Sequence, residues 1–259
     1  MFGGSGGETL MNAIEIENLT HRFSDGTLGL DRVNLTVAQG EFMVVVGCNG
    51  SGKTTLLRHL NGLLMPESGT VKIFGTPVSE NPVRARQLVG MVFQDADTQI
   101  VGDTVYDDVA FGPENLKLDR KEVQRRVACA LEAGGLIHLS DQRPHVLSGG
   151  EKRRLAIAGI LAMESKILVF DEPFSNLDYP GVKQVMEQIL GLHRNGHTII
   201  LTTHDLDKVI AYADRLVIME KAGVARIGPA HELTSELEAF GVRAPCRCTI
   251  EAQEALCPN

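Results

Sequence analysis

The sequence contains no tryptophan, only three tyrosines and no excess of positive charge. Lys and Arg total 25 against 33 Asp and Glu, so the formal net charge is −8. This balance leaves no electrostatic footprint for nucleic acid, and we expect no nucleic-acid partner. The sequence also lacks an apolar run of the roughly 20 residues that cross a bilayer. The longest run, residues 155–163, is too short and contains Gly159.

We also expect no export signal. Residues 1–7, Met-Phe-Gly-Gly-Ser-Gly-Gly, lack the basic region and apolar core of a signal peptide, and the five cysteines are an odd number. Both observations are typical of reduced thiols in a cytoplasm. We expect residues 1–13 to form a flexible leader, with Met11 as an alternative start. At 259 residues with 43% apolar content, the chain has ample material for one large α/β core.

The main feature present is a glycine-rich segment, residues 47–54, called the phosphate loop below, which fits G-x-x-x-x-G-K-[ST]. It follows an apolar run at residues 42–46 and precedes a helical pattern that begins at Thr54. Glycines let the backbone approach a phosphate, and amides at a helix N-terminus point at the anion. Lys53 would reach the β- and γ-phosphates, and the Thr54 hydroxyl would bind Mg²⁺. The alternative is a glycine-rich turn without a ligand.

Short strands surround this loop. Residues 14–19 and 33–37 alternate apolar and polar side chains, and residues 71–74 predict a further strand closed by Gly75. Between the first two strands lies a turn that carries Phe23. Its ring either stacks on a purine base or packs beneath the hairpin.

The segment after these strands changes character. Residues 88–94 predict a buried strand with Gln94 at its polar end, where an amide can bridge a metal-bound water and a neighbouring group. Residues 95–165 are mainly helical in pattern, with Asp119 as N-cap of an amphipathic helix that runs to Gly134. We therefore predict a helical insert within an α/β core.

Residues 147–151, Leu-Ser-Gly-Gly-Glu, precede another helix. Ser148 with Glu151 three positions later has the form of a capping box. Two glycines and a serine hydroxyl at a helix N-terminus also make an anion site, and a capping box alone does not require Gly149 and Gly150. We favour the anion site.

Paired carboxylates follow the next strand. Residues 166–173 predict a buried strand whose apolar run, residues 167–170, leads to Asp171 and Glu172. Asp171 would hold Mg²⁺, and Glu172 could take a proton from an attacking water. The alternative is a solvated strand end. Residues 198–203 form another buried strand that ends in a polar residue, His204. Residues 215–219 and 223–227 predict a closing hairpin.

In this order the motifs resemble those of ATP-binding cassette (ABC) ATPases: the phosphate loop, Gln94, Leu-Ser-Gly-Gly, Asp171-Glu172, Ser-Asn-Leu-Asp at 175–178 and His204. The resemblance covers residues 14–230. It implies an α/β fold with a P-loop NTPase core, a mixed or parallel sheet, an N-terminal antiparallel β region and an α-helical subdomain. The core would comprise residues 14–94 and 166–230, the helical subdomain residues 95–165, and the C-terminal tail residues 231–259.

The resemblance also assigns roles to residues. Glu172 would be the general base, His204 a γ-phosphate contact, and Asp178 part of a dimer seam. Thr54, Gln94 and Asp171 would serve Mg²⁺, with Lys53 and Gln94 completing the catalytic set. The residues expected to bind ATP are Phe23, Gly47, Asn49, Gly50, Ser51, Gly52, Lys53, Thr54, Thr55, Ser148, Gly149, Gly150 and Asp178, of which Ser148 and Gly150 would act on the partner's nucleotide. One cassette per chain implies a homo- or heterodimer.

A narrower resemblance lies in residues 92–100 and 107–116, which are similar to the ATPases of energy-coupling factor importers, including the cobalt and nickel branch. It implies integral membrane partner subunits, a metal ion or vitamin as cargo, a peripheral location on the cytoplasmic face of the membrane, and docking of a membrane subunit near Gln94. The alternatives are another ABC transporter class or a soluble ABC module. A P-loop kinase or GTPase would leave Leu-Ser-Gly-Gly unexplained.

Cysteines and a basic run leave further alternatives open. Alkylation of Cys48 in the phosphate loop would block nucleotide, because a positive helix terminus favours the thiolate. Cys246, Cys248 and Cys257 suit either a metal site or, as we favour, a disordered tail. Residues 152–154, Lys-Arg-Arg, would touch a partner's nucleotide or form a solvated helical turn.

Overall fold

The computed structural model describes residues 11–246, and within them the chain forms ten strands and seven α-helices. The strands are β1 Asn12–Arg22, β2 Leu28–Ala38, β3 Phe42–Val46, β4 Ser68–Ile73, β5 Thr76–Pro77, β6 Val89–Val92, β7 Ile167–Asp171, β8 Thr198–Thr202, β9 Arg215–Glu220 and β10 Gly223–Pro229. The helices are α1 Lys53–Leu60, α2 Pro82–Leu88, α3 Val105–Asn115, α4 Arg120–Ala133, α5 Gly149–Ala162, α6 Tyr179–Arg194 and α7 Ala230–Leu233.

The strands form two sheets. The first is antiparallel, with the order β2-β1-β4-β5. The second has the order β10-β9-β3-β8-β7-β6, and all its neighbours are parallel except β9 and β10. The predicted N-terminal antiparallel region, mixed sheet and closing hairpin are therefore confirmed.

Both faces of the six-stranded sheet are buried, which explains why its central strands are continuous apolar runs. Along β3, Phe42, Val44 and Val46 face a core shared with α5 and α6. The intervening Met43 and Val45 face a second core, shared with the antiparallel sheet and α1. Because strands alternate their side chains, one sheet separates the two cores and presents its strand ends at a common edge.

The insert has a core of its own. Apolar residues of α3, α4 and α5 form a third cluster, whose fully buried members include Val105, Val127 and Leu155. Asp119 caps α4 as predicted, since its carboxylate accepts hydrogen bonds from the amides of Lys121 and Glu122. The helical character of the insert is confirmed, while the division of the chain into domains stays a prediction.

Several predicted boundaries are wrong, and three of them are the following. The first strand begins at Asn12, before residue 14, and Ala13 is fully buried, so residues 12 and 13 are not part of a leader. Leu88 ends α2 instead of opening β6, because the amide of the next residue, Val89, still donates a helical hydrogen bond to the carbonyl oxygen of Ala85. The strand β6 also ends earlier than predicted, at Val92, two residues before Gln94.

The predicted C-terminal tail also contains packed structure. Leu233, Leu237 and Val242 are buried in the main core, because α7 and the following 3₁₀ turn fold back beside β9 and β10. Cys246 belongs to the described chain, whereas Cys248 and Cys257 lie outside the described residues, so the role proposed for the three cysteines stays a prediction. Between Met11 and Cys246, no helix has the length and apolar character needed to cross a membrane.

Candidate active site

The phosphate loop connects β3 to α1 in a conformation that requires glycine at two positions. Gly52 has φ +100°, and a Cβ there would lie 2.7 Å from the carbonyl oxygen of Gly29. A Cβ at Gly47 would lie 2.3 Å from the carbonyl oxygen of Met219. Both distances are shorter than a Cβ tolerates, so the loop can lie against its neighbours only without side chains there.

Lys53, the first residue of α1, folds back over the loop. Its Nζ donates hydrogen bonds to the carbonyl oxygens of Gly47, at 2.7 Å, and Cys48, at 3.2 Å. Burial lowers the pKa of the Lys53 ammonium, while the nearby carboxylates of Glu172 and Asp171 act in the opposite direction. The ammonium is thus held at the loop by two carbonyls that an anionic ligand can replace.

Asp171 joins α1 to the ends of β7 and β8. The Thr54 hydroxyl donates to Oδ2 of Asp171 at 2.8 Å, and the Thr202 hydroxyl donates to Oδ1 at 2.7 Å. The register of the parallel strands places Asp171 directly beside Thr202. Asp171 is 4% exposed, so its carboxylate orientation is set by these two hydroxyl groups.

Glu172 lies one residue beyond β7 and is held in an unusual backbone conformation. Its φ is +49°, a left-handed value that costs free energy for a residue with a side chain. The amide of Glu172 donates to the Thr202 hydroxyl at 3.0 Å, which helps to hold this conformation. Strained residues of this kind occur often at functional sites.

The Glu172 carboxylate faces His204. Nε2 of His204 lies 3.0 Å from Oε1 of Glu172, and the His204 amide donates to Oε2 at 3.2 Å. Burial raises the pKa of Glu172, while His204 lowers it. A carboxylate with a raised pKa is a better proton acceptor near neutral pH, which suits a general base.

Gln94 follows β6 and is positioned through its backbone by Arg153 of α5. The guanidinium donates from Nη2 to the carbonyl oxygen of Gln94, at 2.6 Å, and from Nη1 to the carbonyl oxygen of Phe93. Arg153 is 3% exposed, so the prediction of a solvated turn is wrong for this residue. The neighbouring Lys152 pairs with Asp97 at 2.6 Å.

These side chains surround one cavity of about 320 Å³, which we call the phosphate-loop cavity. The predicted site residues that line it are Phe23, Asn49, Gly50, Gly52, Lys53, Thr54, Thr55, Gln94, Asp171, Glu172 and His204. Gly47 and Ser51 do not line it: Gly47 accepts the Lys53 hydrogen bond, and Ser51 is 4% exposed within the loop. The structure thus brings most of the predicted site together.

Ser148, Gly149, Gly150 and Asp178 line a different cavity, of about 440 Å³. None of the described residues lines both this cavity and the phosphate-loop cavity. Ser148 and Glu151 form the capping box, which is the less favoured of the two alternatives. The Glu151 amide donates to the Ser148 hydroxyl at 3.3 Å, and the Ser148 amide donates to Glu151 at 2.7 Å. The anion site at this helix N-terminus stays a prediction.

The phosphate-loop cavity offers oxygen donors suited to Mg²⁺: the Thr54 hydroxyl, the Asp171 carboxylate and the Gln94 amide. Mg²⁺ in nucleotide sites is held by one or two carboxylates together with the phosphates of the ligand. Among the described residues, no group of three or more His, Cys, Asp or Glu side chains could hold a metal ion alone. The donor set therefore fits a cation that arrives with a phosphate ligand.

Sequence reasoning missed the positioning roles of two residues, Thr202 and Arg153. Thr202 ends a strand next in the sheet to the one that ends in Asp171, so the polar end of that strand was a usable signal. Arg153 had no such signal, because its carbonyl partners lie 60 and 59 residues earlier in the chain. Cys48 of the phosphate loop is exposed, with Sγ 3.3 Å from the Phe240 carbonyl oxygen, and the effect of its alkylation stays a prediction.

Comparisons with known proteins agree with this geometry. The sequence matches the family described as ABC transporter over residues 30–175. It is 46% identical over 236 residues to the energy-coupling factor transporter ATP-binding protein EcfA of Carboxydothermus hydrogenoformans, which covers 90% of this chain and 87% of that relative.

Solved structures are similar over nearly the same extent. For cbiO1 from Clostridium perfringens, described as part of the ABC transporter complex cbiONQ, the TM-score is 0.80 at 39% identity, over 88% of this chain and 92% of that one. For the ATP-binding cassette MJ0796, solved as a dimer in a post-hydrolysis state with ADP and Pi, the TM-score is 0.75 at 26% identity, over 84% and 98%. The chain therefore belongs to the ABC transporter family, among the ATP-binding proteins of energy-coupling factor transporters, and is an ABC ATPase in which ATP hydrolysis is coupled to transport.

Proposed function

We propose that this chain is the ATP-hydrolysing subunit of an energy-coupling factor importer for a metal ion, such as cobalt or nickel, or a vitamin. It works with Mg²⁺, as a dimer, attached to integral membrane subunits at the cytoplasmic face of the membrane. The observation that carries the proposal is the convergence of Lys53, Asp171 and Glu172 in one cavity at the ends of parallel strands. Such an edge is where open α/β sheets bind their ligands.

Binding of the triphosphate uses the loop and Lys53. The amides of the loop and of the α1 N-terminus favour an anion, and the Lys53 ammonium exchanges its carbonyl partners for β- and γ-phosphate oxygens. Phe23, 40% exposed at the cavity wall, offers an aromatic face for the adenine base. The nucleotide would thus be held at both ends.

Mg²⁺ would be held by Thr54, Asp171 and Gln94, and when bound it neutralises charge on the phosphates. The Thr54 and Thr202 hydroxyls keep the Asp171 carboxylate in place for this task. Glu172 accepts the proton of the attacking water, which its raised pKa favours. His204, whose Nε2 lies 3.0 Å from Oε1 of Glu172, would donate to the γ-phosphate.

Dimerisation explains the second cavity. The cavity lined by Ser148, Gly149, Gly150 and Asp178 shares no residue with the phosphate-loop cavity of the same chain, as far as residues 11–246 are concerned. A partner that rotates its own phosphate loop toward this cavity would bring the two half-sites to one nucleotide. A similar cassette was solved as a dimer bound to ADP and Pi, which supports dimerisation.

A groove beside Gln94 supports attachment to a membrane subunit. Arg58, Leu63, Leu64 and Phe93 line it together with Gln94 and Asp171. Leu63 is 48% exposed and offers an apolar contact to a helix of the partner. Gln94 and Asp171 line both this groove and the phosphate-loop cavity. Nucleotide binding and hydrolysis would therefore change the surface that a docked helix contacts.

The proposal is tested by tagging the protein, extracting native membranes in mild detergent and identifying the proteins that copurify. We expect small integral membrane subunits to copurify with the parent but not with the Leu63→Asp variant. They should also copurify with the control variant Val83→Asp, because Val83 is an exposed apolar residue outside the groove. If the parent copurifies with no membrane protein, and is recovered alone or with ribosomes, the transport role is contradicted. The ATPase assignment would not be affected by that result.

A further inference from the structure

The ring of Phe23 is placed by more than its own turn. The backbone of that turn is closed by hydrogen bonds between Phe23 and Thr27, at 2.9 Å, and between Gly26 and Phe23, at 2.9 Å. These bonds determine where the Cα of Phe23 lies but leave the side chain free to rotate. With 40% of the residue exposed, the ring needs other contacts to keep one orientation.

His21 and Gly29 supply those contacts. The rings of His21 and Phe23 lie 4.8 Å apart at 83°, an edge-to-face arrangement that is favourable for aromatic pairs. A Cβ at Gly29 would lie 2.8 Å from Cε2 of Phe23 and 3.2 Å from Cδ2 of His21, so both rings rest against the bare backbone of Gly29. The Phe23 ring is therefore confined between His21, Gly29 and the phosphate-loop cavity.

His21 itself is held firmly. It is 9% exposed, and its Nδ1 lies 3.3 Å from the carbonyl oxygen of Met65. On another side its ring meets that of His59 at 4.8 Å and 75°. His59 is 1% exposed and belongs to α1, the helix that begins at Lys53. A row of three rings thus connects the phosphate-binding helix to Phe23.

We infer that His21 is a positioning residue for the nucleotide base: it holds the Phe23 ring in the orientation in which that ring stacks on a purine. The inference rests on the proposed function, because it takes the cavity to hold a nucleotide whose base meets Phe23. His21 does not line the phosphate-loop cavity, and it does not lie at a strand end that carries a catalytic group. Its effect should therefore be confined to ligands that have a base.

The test compares two ligands by calorimetric titration: ADP, which has a base, and inorganic tripolyphosphate, which has none. We expect His21→Leu to weaken ADP binding about 2- to 10-fold, the range for loss of an aromatic pair, without changing tripolyphosphate binding. His21→Phe retains an aromatic edge and should restore ADP binding. Both variants lose the contact with Met65, so that contact cannot account for a difference between them.

Two further variants separate this inference from the proposed stacking. Phe23→Ala should weaken ADP binding about 5-fold or more, as for loss of a stacked base, and His21→Leu added to it should have no further effect. Arg22→Ala, an exposed neighbour on β1, should bind both ligands like the parent. Thermal melting of each variant checks that the fold is retained.

Each alternative result has one meaning. If Phe23→Ala binds ADP normally, the stacking role of Phe23 is wrong and the inference fails with it. If Phe23→Ala weakens ADP binding but His21→Leu does not, the inference alone is wrong. If His21→Leu weakens both ligands equally, His21 acts through α1 and the phosphate loop, and the positioning role is refuted.

Discussion

Thr202 offers the sharpest test of how this site is built, because one buried hydroxyl serves two catalytic residues. It donates to Asp171 at 2.7 Å and accepts from the Glu172 amide at 3.0 Å, and Thr202 is fully buried. Thr202→Val keeps the shape of the side chain and removes only these bonds. We expect this variant to be less stable and to hydrolyse ATP more slowly.

The magnitude follows from the bonds. A hydrogen bond to a charged group contributes about 1.5–3 kcal/mol. The second bond adds less, because the Glu172 amide also reaches the Thr202 carbonyl oxygen at 3.2 Å. A loss of about 2 kcal/mol lowers the Tm of a domain of this size by about 4–8 °C. If the same loss appears in the transition state, ATP hydrolysis falls about 30-fold.

Thr202→Ser is the matched control. It retains the hydroxyl and loses one buried methyl group, which costs about 1 kcal/mol. Thermal melting and steady-state ATP hydrolysis of the three proteins provide the comparison. If the valine variant is no more impaired than the serine variant in either measurement, the hydroxyl does not hold Asp171 and Glu172, and this account of the site is refuted.

Two further predictions concern carboxylates. Glu172→Gln should abolish most hydrolysis and accumulate an ATP-bound dimer in size-exclusion chromatography, because the amide cannot accept the proton. Glu151→Ala should lower the free energy of unfolding in urea by about 1 kcal/mol at pH 7, since half of the capping box is lost. Hydrogen bonds from Ser148 lower the pKa of Glu151, so this difference should disappear as the pH falls through that lowered pKa.

Each has a control on the same fold. Glu187→Gln changes an exposed carboxylate of α6 and should hydrolyse ATP like the parent. A Glu172→Gln variant with parental turnover would remove Glu172 as the base. For the cap, Glu187→Ala removes an exposed carboxylate that caps no helix and should leave the free energy of unfolding close to that of the parent. A Glu151→Ala effect that persists unchanged in acid would show that the ionised carboxylate is not its source.

The roles of residues whose surroundings come from adjacent segments of the chain could be predicted from the sequence. The phosphate loop has its motif, strand and helix within 20 residues, and Asp171 and Glu172 directly follow an apolar strand. One of the wrong boundaries arose where a residue borders two elements. Leu88 is apolar and next to a strand, yet it belongs to α2, because the helical hydrogen bond from the Val89 amide to Ala85 encloses it. Ser148 shows the same ambiguity, because the capping box and an anion site require the same residue types.

By itself the sequence determined which segments are buried strands, where the phosphate-binding turn lies and which polar residues end the strands, because these depend on local periodicity and glycine placement. Only the tertiary structure decided which side chains share a cavity. Thr202 meets Asp171 through strand register, Arg153 reaches Gln94 across 59 residues, and Ser148 lies in a cavity apart from the phosphate loop. Contacts between segments distant in sequence depend on how sheets and helices pack, and no local pattern encodes them.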